Sequence, residues 1–232
     1  MNPFSWSRRL AAVASLGDES RRRLFRFVAA AEDSVSRDDA AGSLGMARST
    51  ASFHLDRLVH DGLLAVEFRK IGGKEGPGSG RPAKLYRAAV QEVSASIPER
   101  SYDLAAELLV TAIEQSAADG GSARDALLQA ARTRGVAAGE SSGGGDFGAL
   151  LAEEGYLPAD DGAGGLVLLN CPFHRVAQGH TAVVCAMNGA FLAGAAAGCG
   201  VDPDRVEALD IEELRARDAA TPAQCCARIR PA

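Results

Sequence analysis

Apolar residues recur every three or four positions through the first sixty residues, and each such run sits between a helix-starting and a helix-stopping residue. Residues 8–14 make a short amphipathic stretch. Asp18 is placed as an N-cap for a helix reaching Ala31, with Leu24, Phe25 and Val28 turned inward. Ser36, Arg37, Asp38 and Asp39 resemble a capping box with Asp in place of the usual Glu or Gln, which opens a short helix over 37–43. Leu44, Gly45 and Met46 form a turn, and a further helix covers Arg48–His60 before Gly62 stops it. The period then changes. Residues 64–68 read as a strand, the Gly-rich 71–80 as a loop and 83–87 as a returning strand. Helix, turn, helix and β-hairpin in that order predict a winged helix-turn-helix over residues 1–90.

The remaining residues, 91–232, read differently. An amphipathic helix over 102–117 carries Ala105, Leu108, Leu109, Ala112 and Ile113 on one side and is expected to dimerise the chain. Helices are predicted over 123–134, 146–155 and 181–197, a Gly/Ser loop over 135–145 and a helical turn over 172–177. Strands are predicted over 166–169, 206–209 and 227–229. The fold class is therefore α+β: a winged helix-turn-helix, a helical linker and dimerisation segment, and a C-terminal α+β sensor domain.

Charge separates the same two regions. Residues 1–90 hold 15 Lys/Arg against 10 Asp/Glu, whereas 91–232 hold 10 against 20. A basic segment joined to an acidic one points to two domains with different partners. No stretch reaches the roughly 18 apolar residues of a membrane span, and the N-terminus lacks the apolar run of a signal peptide, so no membrane partner and a cytoplasmic location are expected.

Wound at 100° per residue, Arg48–His60 turns Ala51, Leu55, Leu58 and Val59 to one face and Ser49, Thr50, Phe53, Asp56, Arg57 and His60 to the other. Such a helix can enter the major groove of double-stranded DNA with its N-terminal residues nearest the bases. Arg48 and Arg57 suit guanine edges or phosphates, and Ser49, Thr50 and Ser52 suit either. Phe53 and His54 complete the candidate reading set on this helix. Arg69, Lys70, Lys74, Arg81 and Lys84 flank the Gly-rich wing and can neutralise phosphates. Residues 15–88 resemble the ArsR-type winged-helix repressors. The likeness lies in Ser15–Leu24, in Ser49-Thr50-Ala51-Ser52-Phe53-His54-Leu55, in Asp61-Gly62-Leu63-Leu64 and in Gly80-Arg81-Pro82-Ala83-Lys84-Leu85-Tyr86. Ala47 departs from that family, which places a Ser or Thr cap there; the loss is about 1 kcal/mol.

All five cysteines, Cys171, Cys185, Cys199, Cys225 and Cys226, fall in the last third. Without an export signal, metal or redox chemistry is a better reading than a disulfide framework. Pro172 is expected to set Cys171 at a helix N-terminus, where the dipole favours thiolate. Cys185 lies one turn inside the 181–197 helix. Cys199 is 14 positions further, about 21 Å along a continuous helix, which is too far for one small cluster. Cys225 and Cys226 cannot share one face of a strand, and Cys225 is preferred. His174, three residues after Cys171, is the candidate fourth ligand, and His180 is a second histidine near the site.

The order Cys171-Pro172-Phe173, His180, Cys185, Cys225-Cys226 resembles the C-terminal domain of SufR-group repressors, which join an ArsR-like winged helix to an iron–sulfur domain. The resemblance implies a [4Fe–4S] or [2Fe–2S] cluster on Cys171, Cys185 and Cys225, and a homodimeric repressor bound to a double-stranded operator. Zn²⁺ held by three cysteines and a histidine, or a cluster-free thiol switch, are the alternatives. No Gly-rich phosphate loop, nucleophile elbow or paired-carboxylate motif is present, so no enzyme is expected.

Overall fold

A computed structural model describes residues 5–70, 82–143, 145–217 and 220–231. The chain forms two compact units, one ending at Ser96 and the other starting at Ile97. The first unit runs past residue 90 because Val90 and Val93 pack on its core. Trp6 Nε1 also donates to the Ser96 carbonyl at 2.9 Å.

Four helices and a small sheet build the first unit: α1 (Trp6–Ser15), α2 (Glu19–Ala29), β1 (Val35–Ser36), α3 (Arg37–Leu44), α4 (Arg48–His60), β2 (Leu64–Arg69) and β3 (Ala83–Ala88). The helix starts follow the expected chemistry. Asp18 accepts from the Arg21 N–H, and Ser36 and Asp39 exchange both bonds of a capping box. Gly45 takes φ 65° at the end of α3, a left-handed turn that costs other residues far more than glycine. Ala47 leaves α4 without a side-chain cap, as its residue type dictates. Leu24, Ala40, Ala51, Leu55 and Leu58 are fully buried and meet between α2, α3 and α4. The sheet has the order β1-β3-β2 and is antiparallel, with Val66 opposite Tyr86 and Phe68 opposite Lys84. The two-residue β1, pairing Val35 with Tyr86, is too short to register as a periodic signal.

The second unit holds α5 (Tyr102–Asp119), α6 (Ala123–Ser141), α7 (Phe147–Glu153), β4 (Pro158–Asp160), β5 (Leu166–Leu168), α8 (His174–Ala177), α9 (Thr181–Gly198), β6 (Val206–Ala208), α10 (Ile211–Ala216) and β7 (Ala227–Ile229). Its four strands form an antiparallel sheet in the order β4-β5-β7-β6. The fold is α+β, as the sequence implies.

Helix α6 corrects the predicted loop over 135–145. It continues to Ser141 because Gly135 and Gly139 sit where α6 crosses α9. A Cβ at Gly135 would lie 2.1 Å from the Phe191 carbonyl oxygen, and one at Gly139 2.5 Å from that of Ala195. Gly194 and Gly198 repeat the arrangement from α9, 2.2 Å from the Arg132 oxygen and 2.4 Å from the Val136 oxygen. These glycines are a packing surface rather than a break. The 18 residues of α9, mean hydropathy 1.5, do reach the length and composition of a membrane span, contrary to the sequence expectation. In this unit Val184, Met187, Phe191, Leu192, Ala195 and Ala196 of α9 are core residues.

Candidate functional site

The outer face of α4 carries the residues its period assigns there. Arg48, Ser49, Thr50, Phe53, Asp56, Arg57 and His60 are exposed, Phe53 at 65%, and Ser52 is half-buried. His54 corrects the reading set. Its side chain is only 14% exposed, and Nδ1 lies 3.9 Å from Asp18 Oδ1, beyond hydrogen-bond range. It packs toward the start of α2, because position 54 lies at the edge of the buried face, one turn before the fully buried Leu58.

Among the described residues, Arg48, Arg57, Arg69 and Lys84 of the set each meet a carboxylate. Arg48 Nε lies 3.2 Å from Asp38, Arg57 Nε 3.1 Å from Asp61, Arg69 Nη2 2.6 Å from Glu67 and Lys84 Nζ 2.6 Å from Asp56. The Asp61 side chain is only 5% exposed, but the other three pairs are largely solvent-facing and contribute about 1 kcal/mol or less each, so a phosphate can compete for those cations. Asp56 also accepts from Tyr86 Oη at 2.8 Å, which ties α4 to β3. Burial pushes the Asp56 carboxyl up, but hydrogen bonds from Lys84 and Tyr86 outweigh it and the net shift is downward. The Lys84 ammonium is correspondingly held above its ordinary range, first of all by Asp56. Lys70 is exposed at the end of β2; Lys74 and Arg81 lie outside the described residues. Phe68, 70% exposed on β2, is an apolar side chain on this unit's surface that the sequence reading missed. Its place in an alternating strand is the signal that marks it.

In the second unit the chain draws four cysteines together. The Cys171 N–H donates to the Ala223 carbonyl and the Cys225 N–H to the Leu168 carbonyl, both at 2.9 Å, so the segment after β5 is laddered to the segment before β7. Arg100 Nη1 holds the Cys171 carbonyl at 3.1 Å and also bonds Asn170 Oδ1. Helix α9 brings Cys185 alongside. Cys171, Cys185 and Cys226 line one cavity of about 270 Å³ together with His174, Glu212 and Arg215. Cys225 is fully buried behind them.

Two sequence expectations change here. Cys226, not Cys225, faces the cavity with Cys171 and Cys185. Residues 225 and 226 precede β7, so strand alternation does not apply to them. Cys171 is also not a helix cap, since α8 starts at His174 with Phe173 as its N-cap. Its thiol is instead lowered first by hydrogen bonding with Cys225, against burial, and further by the Phe173 N–H. The Cys226 thiol is pulled down to about 4 by hydrogen bonds from Cys185 and Cys225. Sharing their protons pushes both donors up, Cys185 first through its bond to Cys226, and Cys225 first through its bond to Cys171 and then to Cys226. The shifts thus favour charge on Cys171 and Cys226 over Cys185 and Cys225.

His174 lines the same cavity, and burial, then the charges of Arg100 and Arg215, lower its pKa, so the ring is a neutral donor. His180 is exposed and caps nothing with its side chain. Cys199 ends the unbroken α9 beside Ser142 and Gly139, away from the cavity. Among the described residues, no group of three or more His, Cys, Asp or Glu side chains is set to hold a single metal ion. Behind the sulfurs stand two groups that sequence reasoning left unassigned, Asn188 and Tyr156, both buried. A polar residue inside the apolar run of α9 is the signal for the first.

A family described as a helix-turn-helix domain matches residues 16–67. The first unit is a DNA-binding module, and the chain is a DNA-binding transcriptional regulator. The match ends before β3 and includes no cysteine. No curated protein matches the chain.

Proposed function

We propose that the chain is a homodimeric repressor whose hold on its operator is governed by an iron–sulfur cluster in the second unit. The observation that carries this reading is the convergence of four thiols from three separate chain segments on one largely apolar site that opens to a cavity. Soft sulfur donors select iron–sulfur clusters and soft metals, and thiolates are the ligating form, so the donor set fits. Cys171, Cys185 and Cys226 would hold the cluster from the cavity wall, with Cys225 behind them and neutral His174 at the rim. The cluster supplies one-electron redox chemistry and sensitivity to oxidants. The chain's own part is to tie the end of β5, the first turn of α9 and the start of β7 together through these sulfurs. Losing that tie frees three segments at once, and a coupling of only a few kcal/mol between the two units is enough to change operator affinity.

Dimerisation is supported by α5. Ala105, Leu108 and Ala112 are buried within the unit, while Leu109, Val110 and Ile113 form a second, exposed apolar stripe. Two copies would present two α4 helices to half-sites about one helical turn, or roughly 34 Å, apart.

Anaerobic purification with iron, sulfide and zinc quantification tests the sensor. Stoichiometric iron and sulfide with visible absorption are expected in the native chain, and their loss in Cys171→Ser. Zinc alone would point to a colourless metal site, and neither metal to a thiol switch between Cys185 and Cys226. For the DNA face, Arg48→Ala with Arg57→Ala is expected to weaken operator binding and flatten its salt dependence by about two in log–log slope. Unchanged affinity at moderate salt would remove α4 as the reader.

A further inference from the structure

We infer that Asn188, oriented by Tyr156, is a positioning residue whose amide sets the charge that the Cys225 and Cys226 sulfurs can carry. The inference deepens the cluster reading and rests on it for its redox consequence. Asn188 lies on α9 three residues after Cys185 and is fully buried; Tyr156 is 1% exposed. Tyr156 Oη donates to Asn188 Oδ1 at 2.6 Å. Asn188 Nδ2 then donates to Cys225 Sγ at 3.1 Å and faces Cys226 Sγ at 3.9 Å.

The direction of the chain of bonds is decided by the groups themselves. An asparagine amide has one acceptor oxygen and one donor nitrogen. The Tyr156 hydroxyl hydrogen occupies the oxygen, so the nitrogen and its two hydrogens are turned to the sulfurs. Neither Asn188 nor Tyr156 leaves a buried polar atom without a partner. A polar pair in such an apolar interior is costly unless each group is bonded, and apolar residues of similar size would fill the space without that demand. Here the donor is aimed at sulfur rather than at backbone. An N–H directed at a sulfur stabilises negative charge on it, and hydrogen bonds to the sulfurs are among the features that set cluster potentials. Reduction of a bound cluster would add one electron and one negative charge beside these sulfurs. Asn188 would therefore favour the reduced state, and without it the cluster would be harder to reduce.

The test compares the native chain with Asn188→Leu and Tyr156→Phe, each reconstituted anaerobically and titrated with dithionite while the visible absorption is followed. Asn188→Leu is expected to shift the one-electron equilibrium about tenfold toward the oxidised form, a potential lower by ~59 mV. Tyr156→Phe, which leaves the amide in place but frees it to turn, is expected to shift it less and in the same direction. A folded Asn188→Leu chain with the native potential overturns the inference. Where Asn188→Leu does not fold, an unchanged potential in Tyr156→Phe overturns it instead. If the native chain takes up no iron and sulfide, the cluster reading falls and the role assigned to Asn188 falls with it, whereas iron uptake with an unchanged potential in the variants overturns the inference alone.

Discussion

Substituting alanine for Gly135 should unseat α9 from α6, and the size of the effect follows from the crossing geometry. The new Cβ would stand 2.1 Å from the Phe191 carbonyl oxygen and 2.8 Å from the Ala195 nitrogen. Both are backbone atoms of α9, so no side-chain rotation relieves the overlap, and the helices must part by more than 1 Å to restore ordinary contact. Overpacking of this kind costs about 1–3 kcal/mol. A glycine-to-alanine change inside a helix returns about 1 kcal/mol of propensity. With backbone on both sides the upper part of the range applies, leaving a net loss of about 2 kcal/mol. For a unit of this size that corresponds to a fall in melting midpoint of roughly 8 °C. Gly189, on the same α9, has nothing within 4 Å of its Cβ position, so Gly189→Ala should gain up to about 1 kcal/mol. Thermal and urea unfolding of the two variants beside the native chain provide the assay. A Gly135→Ala chain as stable as the native one, or a Gly189→Ala chain destabilised as much as Gly135→Ala, would falsify the close-crossing argument. The crossing matters to the site because α9 carries Cys185 and Asn188.

Ala47→Ser should stabilise the first unit by about 1 kcal/mol in urea titration, because residue 47 already has the extended φ −64°, ψ 141° of a cap but lacks the side chain to act as one. Asp56→Ala should free Lys84 and steepen the salt dependence of DNA binding by about one unit of slope, measured by fluorescence anisotropy across a salt series. The same change also removes the acceptor of the buried Tyr86 hydroxyl, so it should cost about 1–3 kcal/mol of stability. Asp56 titrates below the ordinary carboxylate range in the folded chain, so its contribution is complete above that range and is lost as pH falls through the folded value. The melting-point gap between native and Asp56→Asn chains should therefore be widest near neutrality and close in acid; a gap that widens in acid would reverse the assigned sign.

Local chemistry settled most of the first unit from residue order alone. Asp18, the Ser36–Asp39 capping box and Gly45 act within a few positions of themselves, so their helices begin and end where the chain says. Helix α4 is a single amphipathic repeat, which is why its bounds and its exposed face were legible. Contacts between distant residues were not. The pairing of Asp56 with Lys84 and Tyr86 joins residues 28 and 30 positions apart, and nothing in either segment announces the other. Gly135 and Gly139 read as a loop because glycine usually breaks helices, and only the backbone of α9 against them explains their place inside α6. The cysteines divide in the same way. Their types and number pointed to sulfur chemistry, and the continuity of α9 set Cys199 apart. Which of two adjacent cysteines faces the cavity was decided by the hydrogen-bonded ladder between the ends of β5 and β7, a long-range pairing that carries no local sequence signature.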